Sequence, residues 1–441
     1  MSTKKGYKLV PWLFGKEIEI PEEWEITTLK ENSHITDGSH FSPPKVTKGF
    51  PMATVENLKD SSLDIDSCYN ISKEDFKQLT KNNCKPEIND VLFTKDGTVG
   101  KSLVFTQNID VVLLSSIAIL KPFESLDPYF LHYSFHSEAI TKFIAKFLGG
   151  TAIKRIVLKN LEKFLFPLPS LSEQQKIVTI LSNVDSLIDS TSKIIENSKS
   201  LKTGLMQKLL TKGIGHTKFK KVPWLFGKEI EIPVEWELDI VNVLTLQNDK
   251  GAIRMGPFGS NLKTSELLDS GKIKTLWIEN IVNNEFTWKY QKFITEKKYE
   301  ELKSFTVKPN DILITMMGTL GRVAIVPDNI GTAIISSHLL KISLDQKKAN
   351  YLFLYYILKS HFVFRQIIKE SRGLVMGGLN TGIIKNLHIL IPPLPEQQKI
   401  ATILSNIDAQ INSQTQYKEK LERLKKSLMQ KLLTGEVRVA I

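Results

Sequence analysis

Two short stretches of this chain carry residue types suited to holding phosphate. Asp96-Gly97-Thr98-Val99-Gly100-Lys101-Ser102 ends as a phosphate loop ends, in Gly-Lys-Ser. Such a loop needs a glycine, four residues, then Gly-Lys-Ser/Thr, because its backbone must wrap the phosphate oxygens before the lysine reaches them. Here Lys95 stands where the first glycine belongs, and Gly97 is out of step. A second stretch, Met317-Gly318-Thr319-Leu320-Gly321-Arg322-Val323, keeps Gly-Thr-x-Gly and a basic residue but has no serine. The nucleotide-hydrolase reading therefore fails. What both stretches keep is a tight turn between two strands, tipped by a cation. Thr98, Lys101, Thr319 and Arg322 are candidates for phosphate contact on a nucleic acid, with a purely structural hairpin as the alternative.

Two further loops mix cations with side chains able to read base edges. The first is ITDGSHFSPPKVTKGF at 35–50, with Asp37, His40, Lys45 and Lys48. The second is IRMGPFGSNLK at 253–263, with Arg254, Ser260, Asn261 and Lys263. Arginine pairs with guanine and asparagine with adenine, while lysine mostly holds phosphate. Lys95 is grouped with these as a DNA-contact candidate. Each residue alone also reads as an ordinary solvated loop side chain; the loops gain meaning because both occupy the same place in a repeated unit. His34 and His40 have no companion ligand cluster, so neither a metal nor another cofactor is expected. No His-Glu-x-x-His, nucleophile elbow or methyltransferase Asn/Asp-Pro-Pro-aromatic stretch is present, so no catalytic residue is assigned.

The elements that position these loops are written twice. VPWLFGKEIEIPEEWE at 10–25 returns at 222–237 with 15 of 16 positions identical. LSEQQKIVTILSNVDSLI at 171–188 returns at 394–411 with 13 of 18 identical, and LMQKLLT at 205–211 returns unchanged at 428–434. Offsets of 212 and 223 residues are far too long for a solenoid and mark a duplicated two-part unit. Between the repeated pieces, 26–160 and 238–385 diverge and share only landmarks, among them the two Gly-Thr-x-Gly turns. Short strands, a buried run at Val111–Leu120 and an amphipathic helix after it predict α+β inserts.

After Pro169 the pattern turns helical. Ser172 and Gln175 have capping-box spacing, and Pro395 replaces that serine in the second copy. Ile180, Val184, Leu187, Thr191, Ile194, Ser198, Leu201 and Leu205 follow a 3–4 spacing, as do Ile403, Ile407, Gln410, Gln414, Tyr417, Leu421, Leu424 and Leu428. Each helix spans about 40 residues, hence roughly 60 Å. A narrow apolar seam predicts that the two copies pair antiparallel. The remaining apolar positions, Leu181, Ile188, Ile195, Leu404 and Ile411, are then expected to face a partner subunit. The predicted organisation is a strand-rich α+β recognition domain at 1–168, a helix at 169–213, a second such domain at 214–392, and a helix with tail at 393–441.

The chain has 441 residues and a net charge of +12 (59 basic against 47 acidic), which favours a polyanionic partner. Two cysteines, Cys68 and Cys84, exclude a disulfide scaffold. MSTKKGYKLVPW has no apolar core of the signal-peptide kind, and the longest apolar run is too short to span a bilayer. A cytoplasmic protein without membrane association is expected.

The doubled Leu-x-Glu-Gln-Gln-Lys-Ile stretch (171–177 and 394–400), the Ile-Pro-x-x-Trp-Glu leads, the Asp37-Gly38-x-His40 loop, the Gly256–Ser260 loop and the two Gly-Thr-x-Gly turns resemble the specificity subunit of type I restriction-modification systems. The resemblance covers essentially the whole chain. It implies two target recognition domains, each reading one half of a split, asymmetric sequence in double-stranded DNA. It implies that the helices hold these domains apart and dock two modification subunits, methyltransferases that carry S-adenosylmethionine. Gln174, Gln175, Gln397 and Gln398 join the five apolar helix positions as the expected docking residues. Restriction subunits with an ATP-driven translocase and endonuclease would complete the assembly, and the chain itself would do no chemistry.

Overall fold

A computed structural model describes residues 4–59, 62–148, 155–247, 249–371 and 379–440. The chain divides into two compact units, Met1–Ser192 with Gln416–Ile441, and Lys193–Thr415.

In the first unit, β1 (Ser33–Asp37), β2 (Val91–Thr94), β3 (Ser102–Val104) and β4 (Ile117–Pro122) form an antiparallel sheet in the order β1-β4-β2-β3. Its strands alternate between two cores. Val91, Phe93, Ala118 and Leu120 pack on one face, and Leu92, Ile117 and Ile119 on the other. Side chains alternate along a strand, so a continuous apolar run is what a strand buried on both faces requires. A second, smaller sheet holds Phe50–Ala53 between Tyr69–Ile71 and, in parallel, Val112–Leu113.

The second unit repeats this plan. β5 (Ile253–Met255), β6 (Ile312–Thr315), β7 (Val323–Ile325) and β8 (Leu339–Ile342) run in the order β5-β8-β6-β7. Ile273–Leu276 pairs antiparallel with Lys292–Ile294 and parallel with Ala333–Ile335.

The run at 111–120 is not one strand. Val112–Leu113 and Ile117–Pro122 belong to different sheets, and Ile117 N–H donates to Leu114 O at 3.0 Å across the corner between them. The single amphipathic helix expected after it is two: α1 (Pro128–Phe135) and α2 (Glu138–Leu148), with Ser137 Oγ accepting from Ile140 N–H. The second unit breaks at the same place. There α4 (Tyr351–Leu358) stops before α5 (His361–Ser371), and Ser360 Oγ accepts from Val363 N–H. A serine hydroxyl satisfies a first-turn amide and restarts the helix in a new direction.

The long helices are α3 (Leu171–Lys212) and α6 (Leu394–Leu432). The cap of α3 is Ser170, whose Oγ and carbonyl accept from Glu173 N–H; Ser172 lies inside the first turn. Pro395 is the second residue of α6, as its fixed φ allows. Gly213 follows α3 at φ +66°, a left-handed ending that a side chain would strain.

Within each unit the two helices run antiparallel. In the first unit, Ile177 and Leu181 share a core with Met429, Leu432 and Leu433, while Asp185 pairs with Lys425. In the second, Leu209 and Leu210 share a core with Ile400 and Leu404, and Lys202 pairs with Asp408. The seam matches the expected one at every second position only. Its residues on α3 are Ile177, Leu181, Val184, Ile188, Thr191 and then Ile195, Ser198, Lys202, Leu205, Leu209, all buried or half-buried. Leu187, Ile194 and Leu201, placed in the seam by spacing, are 46%, 43% and 57% exposed. On α6, Leu404 and Ile411 turn inward, while Ile403, Tyr417 and Leu424 are exposed. Val184, Thr191, Ser198 and Leu205 on α3, and Ile407, Gln414, Leu421 and Leu428 on α6, hold the seam as spacing placed them, while every alternate seam position moves one residue along the helix.

Candidate nucleic-acid interface

Each of the two candidate loops leaves its sheet through a glycine at a place too tight for a side chain. A Cβ on Gly38 would lie 2.3 Å from Leu114 O, and one on Gly256 would lie 1.9 Å from Ser336 O. Gly38 N–H donates to Ile117 O and Gly256 N–H to Leu339 O, so each crossing is locked to β4 or β8. Beyond the glycine, each loop projects a phenylalanine into solvent. Phe41 is 59% exposed and Phe258 70% exposed. Ser39 ties the first loop by donating to Phe41 O and accepting from Phe41 N–H; Asn261 N–H ties the second to Phe258 O.

The charged residues of the first loop fall into two groups. Asp37, His40 and Lys95 form a cluster: Lys95 Nζ lies 2.6 Å from Asp37 Oδ1, and His40 Nε2 lies 3.3 Å from Asp37 Oδ2. Lys95 is 1% exposed. Expected at the DNA surface, it lies instead behind the loop, because Lys95 N–H and carbonyl are spent on Ser116 O and Ile156 N–H and its chain runs inward to Asp37. A buried ammonium needs such a partner. His40 remains at the surface. Lys45 and Lys48 are exposed further along, with Lys45 Nζ 5.1 Å from the Tyr69 ring centre.

In the second unit Met255 and Met316 occupy the places of Asp37 and Lys95, so the ionic pair becomes an apolar one. Arg254 is half-buried, its guanidinium 5.5 Å from the Phe305 ring centre and its Nη1 donating to Ser304 O. Ser260, Asn261 and Lys263 are exposed together.

The Gly-Thr-x-Gly turns join β2 to β3 and β6 to β7. Thr94 Oγ1 donates to Thr98 O at 2.5 Å and accepts from Lys101 N–H; Thr315 makes the same two bonds with Thr319 O and Arg322 N–H. Gly100 N–H and Gly321 N–H go to Thr94 O and Thr315 O. These amides are therefore committed within the turn and are not aimed at an anion. Thr98 is exposed, while Lys101, Thr319 and Arg322 are half-exposed.

The Glu-Gln-Gln stretches turn out to build the units from inside. Gln174 accepts from Asp127 N–H and donates to Ser125 O and Pro169 O; Gln397 does the same with Asn350, Lys348 and Pro392. Both are buried, as are Leu181 and Leu404, so these four expected docking residues are internal to their own units. Ile188, Ile195 and Ile411 are half-buried in the seam, and Gln175 and Gln398 are exposed. Glu173 accepts from Trp24 Nε1–H at 2.9 Å and from Arg438; Glu396 accepts from Trp236 Nε1–H at 2.8 Å and lies 2.8 Å from His216 Nε2.

Residue typing missed one constellation. Tyr133 donates to Asp185, which also holds Lys425; Tyr356 donates to Asp408, which also holds Lys202. The identical offset between the two sets of three was visible in the repeat. It carried no signal until packing showed that each lysine serves the other copy's aspartate.

Burial depresses His132 to about 3, and its Nδ1 lies 3.0 Å from Ser102 Oγ. Among the described residues no group of three metal-ligating side chains assembles, and no helix is long and apolar enough to cross a membrane.

Two like units, each a β-sheet core carrying a glycine-locked loop and packed on both long helices, define an internally duplicated α+β scaffold. The model of the type I restriction modification DNA specificity domain matches residues 21–198 and 258–423, and the chain belongs to that family. It is 32% identical over 439 residues to the putative type I restriction enzyme MjaX specificity subunit of Methanocaldococcus jannaschii, covering 96% of this chain and 95% of that one. It is 27% identical to the MjaVIII specificity subunit of the same organism, over 96% and 95% of the two chains. The fold is also that of the crystallised type I restriction-modification S subunit from M. genitalium, with a TM-score of 0.56 at 14% identity over 93% and 96% of the chains. The expected specificity-subunit function and internally duplicated α+β fold with long helices are thus established.

Proposed function

We propose that the chain reads an asymmetric bipartite site in double-stranded DNA, one half-site per unit, and that its loops at 37–48 and 254–263 supply the base contacts. One observation carries this reading: both units present the same glycine-locked loop, yet with different side chains. His40, Phe41, Lys45 and Lys48 stand in one; Arg254, Phe258, Ser260, Asn261 and Lys263 in the other. A fixed mount with a changed reading surface is what two unlike half-sites require. Thr98, Lys101, Thr319 and Arg322 serve as phosphate contacts beside them, and Asp37 with Lys95 supports His40 from behind. The reading domains are 1–168 and 214–392, and the helical stretches 169–213 and 393–441 dock two modification subunits, to which restriction subunits add. The docking side is the exposed apolar line: Leu187, Tyr417 and Leu424 in the first unit, Ile194, Leu201 and Ile403 in the second. The assembly works in the cytoplasm.

Exchanging residues 238–385 for the corresponding insert of another family member tests this. The expected result, read by long-read methylation mapping, is a motif changed in one half only; changes in both halves refute one unit per half-site. A pure scaffold that reads no sequence would show equal competition by specific and random duplex at physiological salt.

A further inference from the structure

The two units also differ in a groove to which the DNA reading gives no role. In the first unit a cavity of about 680 Å³ opens between Trp12, Phe164, Phe166, Met429 and Leu433. At the equivalent place in the second unit the space shrinks to about 160 Å³. A phenyl ring occupies part of that space. Phe362 stands edge-on against Trp224, with ring centres 5.3 Å apart. Trp12 and Ala139 occupy those two positions in the first unit, so Trp12 keeps its place but lacks the ring. The two sites share helices of equal length, α2 and α5, and an identical Trp-Leu-Phe-Gly-Lys lead, while Phe164 and Phe166 of the first floor correspond to Leu387 and Ile389.

The rim sets the charge of an occupant. Lys16, Lys142, Lys425 and Lys426 line the cavity against Glu138 and Glu422. Lys425 is matched by Asp185, and Lys142 by Glu138. A net positive rim over an apolar floor complements an acidic segment with an apolar anchor. The internal copy identifies the anchor, because the group that fills the same space there is a phenyl ring against tryptophan. Offset or edge-on aromatic pairs favour this arrangement beyond their buried area.

We propose that the groove beside Trp12 receives an aromatic side chain from an acidic segment of a protein partner, a site that Phe362 closes off in the second unit. The test uses the full chain and a fluorescein-labelled peptide, Glu-Asp-Phe-Asp-Glu, followed by fluorescence anisotropy, with a Glu-Asp-Ala-Asp-Glu control. One site per chain is expected for the phenylalanine peptide and at least tenfold weaker binding for the control. Ala139→Phe should weaken binding at least tenfold by supplying the ring in cis. Phe362→Ala should raise the stoichiometry to two, a gain that misfolding cannot imitate. Lys16→Glu with Lys426→Glu should weaken binding while leaving the apolar floor intact. Equal binding of both peptides, one site in Phe362→Ala, or no saturable binding up to about 1 mM, a free energy of only some 4 kcal/mol, would overturn the proposal.

Discussion

Lys425 Nζ lies 2.5 Å from Asp185 Oδ1, while the Tyr133 hydroxyl donates to Asp185 Oδ2 at 2.8 Å. The aspartate and tyrosine come from the first copy of the repeat and the lysine from the second. In the other unit the origins are reversed, with Tyr356 and Asp408 holding Lys202. Lys202 Nζ and Lys425 Nζ also sit 5.5 and 5.6 Å from the tyrosine ring centres. Each unit is thus closed by a residue borrowed from the other copy. Asp185→Ala leaves a half-buried ammonium and a phenol without their acceptor, and should lower the stability of the first unit by about 3 kcal/mol. Urea unfolding of wild type and variant checks this; a loss within experimental error would show the bond to be incidental.

The Asp37–Lys95 pair and its methionine counterparts make a second test. Removing one partner strands a buried charge, so Asp37→Met and Lys95→Met singly should each cost about 3–5 kcal/mol. The double variant reproduces the second unit's Met255 and Met316, and should recover to near wild-type stability. The same denaturation series measures the coupling, and additive losses would contradict it.

For DNA binding, Lys48→Ala should weaken affinity for all duplexes alike and reduce the slope of log affinity against log salt by about 1. Phe258→Ala should instead relax sequence preference in one half-site. Competition titrations with duplexes altered in one half at a time separate the two behaviours.

Partner docking gives another. Leu201 is 57% exposed, so Leu201→Glu should leave unfolding unchanged within about 0.5 kcal/mol. It should nevertheless reduce recovery of modification subunits in co-purification at least tenfold. Undiminished recovery would place the docking side elsewhere on the helices.

Stability should also fall in acid through His132. Its folded-state value, depressed by burial to about 3, lies below the ordinary 6.5. The stability this residue contributes is therefore complete above about pH 6.5 and is lost as pH falls towards 3, by about 1.4 kcal/mol for each pH unit. Asp90, raised by burial to about 6, works in the opposite direction between about pH 6 and 4. Comparison with His132→Gln isolates the histidine: the variant's stability should decline less over that window, and parallel curves would rule the assignment out.

Repetition made much of this molecule legible as sequence. The duplicated lead and helix stretches and the turn glycines follow from local spacing and backbone geometry, which a chain carries without its fold, whereas Gly38 and Gly256 are required by the distant carbonyls of Leu114 and Ser336. The side of the long helices that packs was legible at only every second seam position. Ile180 and Leu181, Leu187 and Ile188, Ile194 and Ile195, and Ile403 and Leu404 are adjacent apolar pairs, so two stripes of the same period compete. Only the helix and core laid against them decide which stripe is buried. Lys95 is similar: its type suggested a surface cation, and the carboxylate of Asp37, distant in the chain, drew it inside. Gln174 and Gln397 looked like docking residues until the backbone amides of Asp127 and Asn350 were found across from them. Periodicity and composition fix what each segment can become. Long-range packing assigns the partners, because burial makes each polar group depend on a complement that local sequence does not contain.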